Sequence, residues 1–189
     1  MTRVIAGVAG GRRLSVPSGR DTRPTSDRAR EGLFATVQAL LGPLDGLRVA
    51  DLFAGSGAVG LEALSRGAAH ALLVEARPRA ARVIKANIDA LGIPGAEVIT
   101  DRVARVLGRP PAEPYDLVFA DPPYATPDAD VTAVLLALRD NAWLAAGALV
   151  VVERATRGPA PLWPPGYTAD RERRYGEATL WYGRYAWDR

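Results

Sequence analysis

The sequence has no cysteine, one histidine, one methionine and, in Lys85, a single lysine. Without cysteine there is no thiolate nucleophile, no disulfide, and no cysteine-ligated zinc or iron–sulfur site. His70 alone cannot assemble a zinc site, so no metal is expected. Its place between a helix and a strand reads as that of an exposed polar residue. Long apolar runs are also missing: no stretch approaches the ~20 residues of a membrane span. The opening Met1 to Gly7 has too short an apolar run for a signal peptide. A cytoplasmic protein without membrane contact is the expectation. Carboxylates, backbone carbonyls and aromatic rings are left to do chemistry.

What is present is an ordinary globular composition, 48% hydrophobic and 24% charged over 189 residues, the size of one domain. The net charge of +3 is unevenly placed. Residues 1–30 hold seven arginines against Asp21 and Asp27, and residues 171–189 hold five against three acids, whereas residues 31–170 carry twelve basic and sixteen acidic groups. An acidic body with basic ends suits a phosphate-backbone binder. An arginine-biased composition accounts for the same numbers in part.

The chain is organised around Val49-Ala50-Asp51-Leu52-Phe53-Ala54-Gly55-Ser56-Gly57-Ala58-Val59-Gly60. The apolar run Leu47 to Leu52 predicts a buried parallel strand, and Ala58 to Leu64 a helix. Gly55 and Gly57 let the backbone turn tightly against a ligand faced by the first helical amides. A second apolar strand, Ala71 to Val74, ends in Glu75, whose carboxylate can accept from two ribose hydroxyls. Gly55, Gly57 and Gly60 satisfy the G-x-G-x-x-G frame, so spacing alone admits a dinucleotide. Asp51 weighs against one, because a carboxylate sits poorly beside a pyrophosphate and well beside an ammonium.

Before this unit, Val4–Gly7 and Arg13–Val16 flank Gly10-Gly11 and predict a β hairpin bearing Arg12 and Arg13, with Arg20 beside it. Pro24 then keeps Arg23 out of a helix, Thr25 or Ser26 can cap the next one, and Ala29, Leu33, Val37 and Leu40 or Leu41 carry its apolar face to Gly42-Pro43. Arg28 and Arg30 in its first turns gain nothing from the helix dipole. They imply an internal ion pair or a bound polyanion, the former favoured for Arg30 with Glu31. After Glu75 come a helix over 78–91, a strand over 96–100, and Asp101, either an acceptor for a purine amine or the cap of a segment 103–107. The strand 116–120 exits into Asp121-Pro122-Pro123-Tyr124. Two prolines there supply no N–H and leave carbonyls to face outward. A carboxylate beside them can grip an exocyclic amine, and Tyr124 can stack on a base. A plain proline-rich turn is the alternative. A helix over 129–139, a strand over 148–153, and two closing runs, 167–175 and 179–185, complete the chain as an antiparallel hairpin. Its aromatics Trp181, Tyr182 and Tyr185, with Trp187, read as packing residues ahead of stacking platforms for nucleic acid. No internal repeat or linker appears.

These residues resemble the family of 16S ribosomal RNA (guanine-N2)-methyltransferases, the RsmD family. The resemblance spans Ile5-Ala6-Gly7 through Gly11-Arg12-Arg13-Leu14, then Arg23-Pro24-Thr25-Ser26-Asp27-Arg28-Ala29-Arg30-Glu31-Gly32-Leu33-Phe34, the stretch Asp51 to Gly67, and Asp121-Pro122-Pro123-Tyr124. It departs at Val8-Ala9, where longer polar residues are frequent in the family. The last motif is shared with adenine-N6 and protein glutamine methyltransferases; the Arg23-Pro24-Thr25 stretch followed by the one from Asp51 is much more specific. The resemblance implies an α/β, Rossmann-like class I methyltransferase with a mostly parallel seven-stranded sheet, an antiparallel C-terminal strand and an N-terminal β hairpin. Residues 1–22 would form the extension and 23–189 the methyltransferase domain. It implies S-adenosyl-L-methionine as cofactor, held by Asp51, Phe53, Gly55, Ser56 and Gly57 at the methionine end, Glu75 at the ribose and Asp101 at the adenine amine. Asp121, Pro122, Pro123 and Tyr124 would be catalytic, and Arg12, Arg13, Arg20, Arg23 and Arg28 would bind RNA. The implied partner is 16S rRNA within the 30S subunit or a late assembly intermediate, met by a monomer. An amino methyltransferase of DNA adenine or protein glutamine, and a non-catalytic RNA-binding assembly factor, are the competing readings.

Overall fold

A computed structural model describes residues 2–19 and 25–186. A two-stranded sheet, β1 (Thr2–Arg3) and β2 (Arg13–Leu14), precedes a seven-stranded one. The chain then runs α1 (Asp27–Leu41), β3 (Arg48–Leu52), α2 (Ala58–Ser65), β4 (His70–Val74), α3 (Pro78–Leu91), β5 (Ala96–Ile99), α4 (Val103–Leu107), β6 (Tyr115–Ala120), α5 (Asp128–Asp140), β7 (Leu144–Ala155), β8 (Tyr167–Tyr175) and β9 (Ala178–Tyr185). The large sheet has the order β5-β4-β3-β6-β7-β9-β8. Pairs up to β7 are parallel, while β9 runs antiparallel to both β7 and β8. The class I methyltransferase architecture that the resemblance implied is the one observed.

Alternation along the central strands explains the layering. Val49, Leu73, Phe119 and Val151 point to the face covered by α1, α2 and α3 through Leu33, Phe34, Leu61 and Ile84. Ala50, Leu72, Val118 and Val150 point to the other face, covered by α4 and α5 through Leu107, Leu135 and Leu138. The chain reverses direction across the sheet between β3 and β6, so the two halves open a crevice at the carboxyl ends of these strands. No helix among the described residues is long and apolar enough to cross a membrane.

Local signals in the sequence behave as expected at α1. The Ser26 hydroxyl oxygen accepts the Ala29 amide at 3.1 Å, and Gly42 closes the helix. The N-terminal hairpin differs from expectation. Its ladder pairs Thr2 with Leu14 and Arg3 with Arg13, two residues per strand, where longer strands beginning at Val4 were expected. Past Val4 the backbone amides of Ile5 and Ala6 turn away to a side chain. They donate to Glu62 Oε1 at 2.8 Å and Oε2 at 3.0 Å. Ser65 holds the same segment: its backbone carbonyl takes the Val8 amide, and its hydroxyl accepts from Ala9 and donates to the Ala6 carbonyl. His70 also departs from expectation. It opens β4 with its ring against Tyr115, 3.1 Å from the hydroxyl, and its side chain is only 20% exposed.

Glu62 is fully buried in α2 and has two cationic neighbours, Arg66 Nε at 2.9 Å and Arg30 Nε at 3.5 Å. Arg30 is equally buried, also meets Asp27 at 3.1 Å and donates to the Arg3 carbonyl. This is the internal ion pair expected of Arg30, with Glu62 and Asp27 in place of Glu31. Removing one partner leaves the other buried and uncompensated, which costs about 3–5 kcal/mol. Glu62→Ala should therefore lower the urea midpoint sharply and speed amide hydrogen exchange at Ile5 and Ala6. An unchanged midpoint would show that the N-terminal segment is held by other contacts.

Candidate active site

Four neighbouring strands each carry a carboxylate at or near their carboxyl ends. Read across the sheet, β4, β3, β6 and β7 bring up Glu75, Asp51, Asp121 and Glu153. All four line one cavity of about 1100 Å³, together with Phe53, Gly55, Ser56, Pro122, Pro123 and Tyr124. That volume exceeds the upper end of ordinary small-ligand pockets, ~300–1,000 Å³. It leaves room for a second planar group beside a nucleoside-sized ligand.

The turn between β3 and α2 is built by unusual backbone angles. Gly55 and Gly57 have φ of 59° and 82°, and Phe53 takes φ of 60° despite its side chain, a conformation held only where the surroundings impose it. Gly57 is the N-cap of α2 and is not among the cavity-lining residues. Gly60 has a different task. A Cβ there would stand 2.9 Å from Leu73 Cδ2 and 3.3 Å from Asp51 Cβ, so its absence lets α2 press onto the sheet. The Gly60 amide then donates to Asp51 Oδ2 at 2.9 Å. The third glycine of the frame thus serves the aspartate.

Electrostatics follow from burial. Asp51 is 2% exposed, and desolvation pushes its pKa from 3.8 up to about 8, with the Gly60 hydrogen bond opposing and Glu75 adding to the rise. Glu75 accepts from Arg77 through Nε at 3.2 Å and Nη2 at 3.1 Å. Asp121 is raised well above the carboxylate range by desolvation and then by Glu153. The cavity therefore holds acids kept protonated by burial near neutral pH, and a cationic ligand, unlike a pyrophosphate, would favour their ionisation.

The Asp121–Tyr124 loop is held from below. Arg154, 7% exposed, donates to the carbonyls of Pro123 at 3.3 Å and Thr126 at 2.8 Å and lies 3.5 Å from Asp128. The Thr126 amide also donates to the Pro123 carbonyl. This corrects the expectation of outward-facing carbonyls after both prolines, since that of Pro123 is taken up within the loop. Pro122 is buried and Tyr124 is 42% exposed at the cavity.

Asp101 does not reach the lining. Its Oδ1 accepts the Arg102 amide at 2.7 Å and lies 3.8 Å from Arg105, while Arg102, not Asp101, is the N-cap of α4. Arg102 and Val103 line the cavity in its place. Among the arginines expected to meet RNA, Arg12, Arg13 and Arg28 are exposed. Arg12 donates to the Ala90 carbonyl at 2.6 Å, closing the end of α3. Arg13 lines a surface groove with Arg3, Gly11 and Asp27. Arg20 and Arg23 lie outside the described residues, as does Trp187. Tyr182 is buried in the core beneath α1, and Trp181 and Tyr185 are partly buried, which is packing.

Three contributors are absent from the sequence reading of the site. Glu153 closes the apolar run Leu149–Val152 as Glu75 closes Ala71–Val74, and that parallel in the sequence was a usable signal. Asn87 falls three places after Ile84 and four before Leu91, a polar residue on a buried stripe. It donates to the carbonyls of Ser15 and Ser56 and accepts the Ser15 amide at 2.8 Å. It thereby ties the glycine turn to the segment carrying Val16 and Pro17, which border the cavity. Arg154 carries no local signal, because its role depends on a loop 28 residues earlier.

Comparison with known proteins gives the following. The family model described as conserved hypothetical protein 95 matches residues 2–184. Ribosomal RNA small subunit methyltransferase D of Escherichia coli (strain K12) is 37% identical over 175 residues, covering 93% of this chain and 85% of the relative. The protein of the same name from Haemophilus influenzae is 36% identical over 177 residues, covering 92% and 89%. A solved structure described as "Putative methyltransferase yhhF from Escherichia coli" superposes with a TM-score of 0.84 at 34% identity and covers 98% of each chain.

The raised pKa of Asp51 has a consequence for stability. Between pH 4 and about 8 the unfolded chain loses this proton while the folded protein keeps it, so folding is progressively disfavoured as pH rises. Asp51→Asn removes that loss and can still accept from Gly60. Its melting temperature should exceed that of the wild type at pH 8 and converge with it near pH 3. Parallel curves at all pH values would remove Asp51 as the source.

Proposed function

This chain belongs to the conserved hypothetical protein 95 family, and we propose that it transfers a methyl group from S-adenosyl-L-methionine to the exocyclic N2 of one guanine in 16S rRNA. The observation that carries the reading is the row of strand-end carboxylates beside Asp121-Pro122-Pro123-Tyr124 in one cavity. Relatives named ribosomal RNA small subunit methyltransferase D support the RNA substrate. We take the 30S subunit or a late assembly intermediate as the form in which that RNA is met, by a monomer.

The residues present fit the cofactor. Asp51 and Glu75 would face its cationic methionine end and its ribose hydroxyls, with Phe53, Gly55 and Ser56 forming the wall. S-adenosylmethionine supplies a methyl group already activated by a positively charged sulfur. The chain's own residues have the substrate amine to manage. Guanine N2 is a poor nucleophile because its lone pair conjugates with the ring. Asp121 accepts an amine proton in a hydrogen bond and so stabilises positive charge developing on nitrogen. Tyr124 offers a flat face to an unstacked base, worth ~1–3 kcal/mol, which offsets part of the cost of taking it out of its helix. Arg154 keeps the loop in place, so that orientation is set before the base arrives.

Incubation with 30S subunits lacking the modification, followed by mass spectrometry of the nucleosides, tests this reading. N2-methylguanosine is expected; methyl transfer to DNA adenine or to protein glutamine, or no transfer at all, would overturn it. Asp121→Ala should bind cofactor and 30S normally yet transfer methyl at least ~100-fold more slowly, the loss of one preorganised electrostatic contact. Glu75→Ala should weaken cofactor binding by about 1.5–3 kcal/mol in calorimetry, with a smaller effect on the saturated rate. An unchanged dissociation constant would take Glu75 out of the cofactor site.

A further inference from the structure

β6 and β7 pair in parallel with Ala120 opposite Val152, so Asp121, just past the end of β6, comes beside Glu153, which is still within β7 opposite Leu180, and both line the cavity. Glu153 is 5% exposed, and its Oε1 has no hydrogen-bond partner among the described residues. The groups within hydrogen-bonding reach of its carboxyl are Asp121 and Thr25. The surroundings make the pair more acidic in charge, not less. Asp51 faces Asp121 from β3 with a further carboxyl, and Glu75 faces Asp51 from β4. Arg154 is the cation that opposes them, but its guanidinium is committed to the carbonyls of Pro123 and Thr126 and to Asp128.

Two neighbouring carboxyls, one buried and one partly exposed, resist being ionised together at neutral pH. A buried carboxylate oxygen without a donor is costly, and a shared proton supplies the donor. We propose that Asp121 and Glu153 work as one unit that holds a single proton in the free protein and expels it when a cation enters the cavity. Glu153 is then a positioning residue. It stores the proton so that Asp121 meets the substrate amine as a carboxylate only after the cationic ligand is in place. The second half of this proposal rests on reading the cavity as the S-adenosylmethionine site; the first half does not.

Carbon-13 carboxyl NMR titration of the ligand-free protein tests the shared proton without cofactor. Asp121 should titrate well above the carboxylate range in the wild type and fall towards it in Glu153→Gln. Glu153→Gln is nearly isosteric, so the change reports on the lost proton partner and not on shape. An Asp121 titration that Glu153→Gln leaves in place would overturn the shared proton. Calorimetry in two buffers of different ionisation enthalpy then counts protons released on binding. S-adenosylmethionine should release protons, the neutral thioether S-adenosylhomocysteine fewer, and Glu153→Gln should abolish the difference. Equal release by both compounds, or by both proteins, would overturn cation-driven expulsion. Should neither compound bind the wild type, the cofactor reading fails and the NMR titration alone decides the pair.

Discussion

Repulsion among carboxylates at one sheet edge is the constraint to which the rest of the molecule answers. Parallel strands in the order β4-β3-β6-β7 present Glu75, Asp51, Asp121 and Glu153 to a single crevice. Such a row is unfavourable in a protein without ligand, and burial, with Glu75 adding to it, raises the pKa of Asp51 to about 8. The fold supplies it with partial remedies: a helix amide for Asp51, Arg77 for Glu75, and Arg154 near Asp121. None of these neutralises the whole. A cationic ligand such as the one proposed would complete the arrangement, its binding favoured by relief of this cost.

The stability needed to carry that strain comes from elsewhere in the chain. Both faces of the sheet are covered by apolar side chains from five helices, and burial on this scale is the dominant favourable term. The Glu62–Arg30 pair adds specificity of placement. Glu62 accepts two consecutive amides of the N-terminal segment, so the hairpin can dock on α2 in one register only. From there the chain passes Asn87 and reaches the cavity at Val16 and Pro17. An element that looks peripheral in the sequence is thus part of the wall of the site.

The loop after β6 shows how rigidity is divided. Prolines 122 and 123 fix the backbone locally, but they do not by themselves decide which way the carbonyls face. Arg154 and the Thr126 amide decide that for Pro123, turning its oxygen inward. Asp121 lines the cavity beside these prolines, near a half-exposed Tyr124.

Periodicity, capping and glycine placement were sufficient to place the strands from β3 onward, α1 with its Ser26 cap, and α3 to the residue, because these follow from interactions within one or two turns of chain; β7 runs from Leu144 to Ala155, beyond the expected 148–153 at both ends. The glycine turn, Glu75 and Asp121-Pro122-Pro123-Tyr124 were legible for the same reason: each is a strand end with its own local signature. Their convergence was legible only through the right-handed rule for parallel strands. Other roles had no local form. Glu153 takes its character from Asp121, 32 positions earlier, and Arg154 from the loop it supports. Asn87 bridges Ser15 and Ser56, and Asp101 turns to Arg102 and Arg105 and away from the cavity. Sequence determines which groups the chain owns and which backbone each prefers. Protonation, partner choice and distance to a ligand depend on neighbours brought together by packing, and desolvation, which controls all three, exists only once the tertiary structure has closed around them.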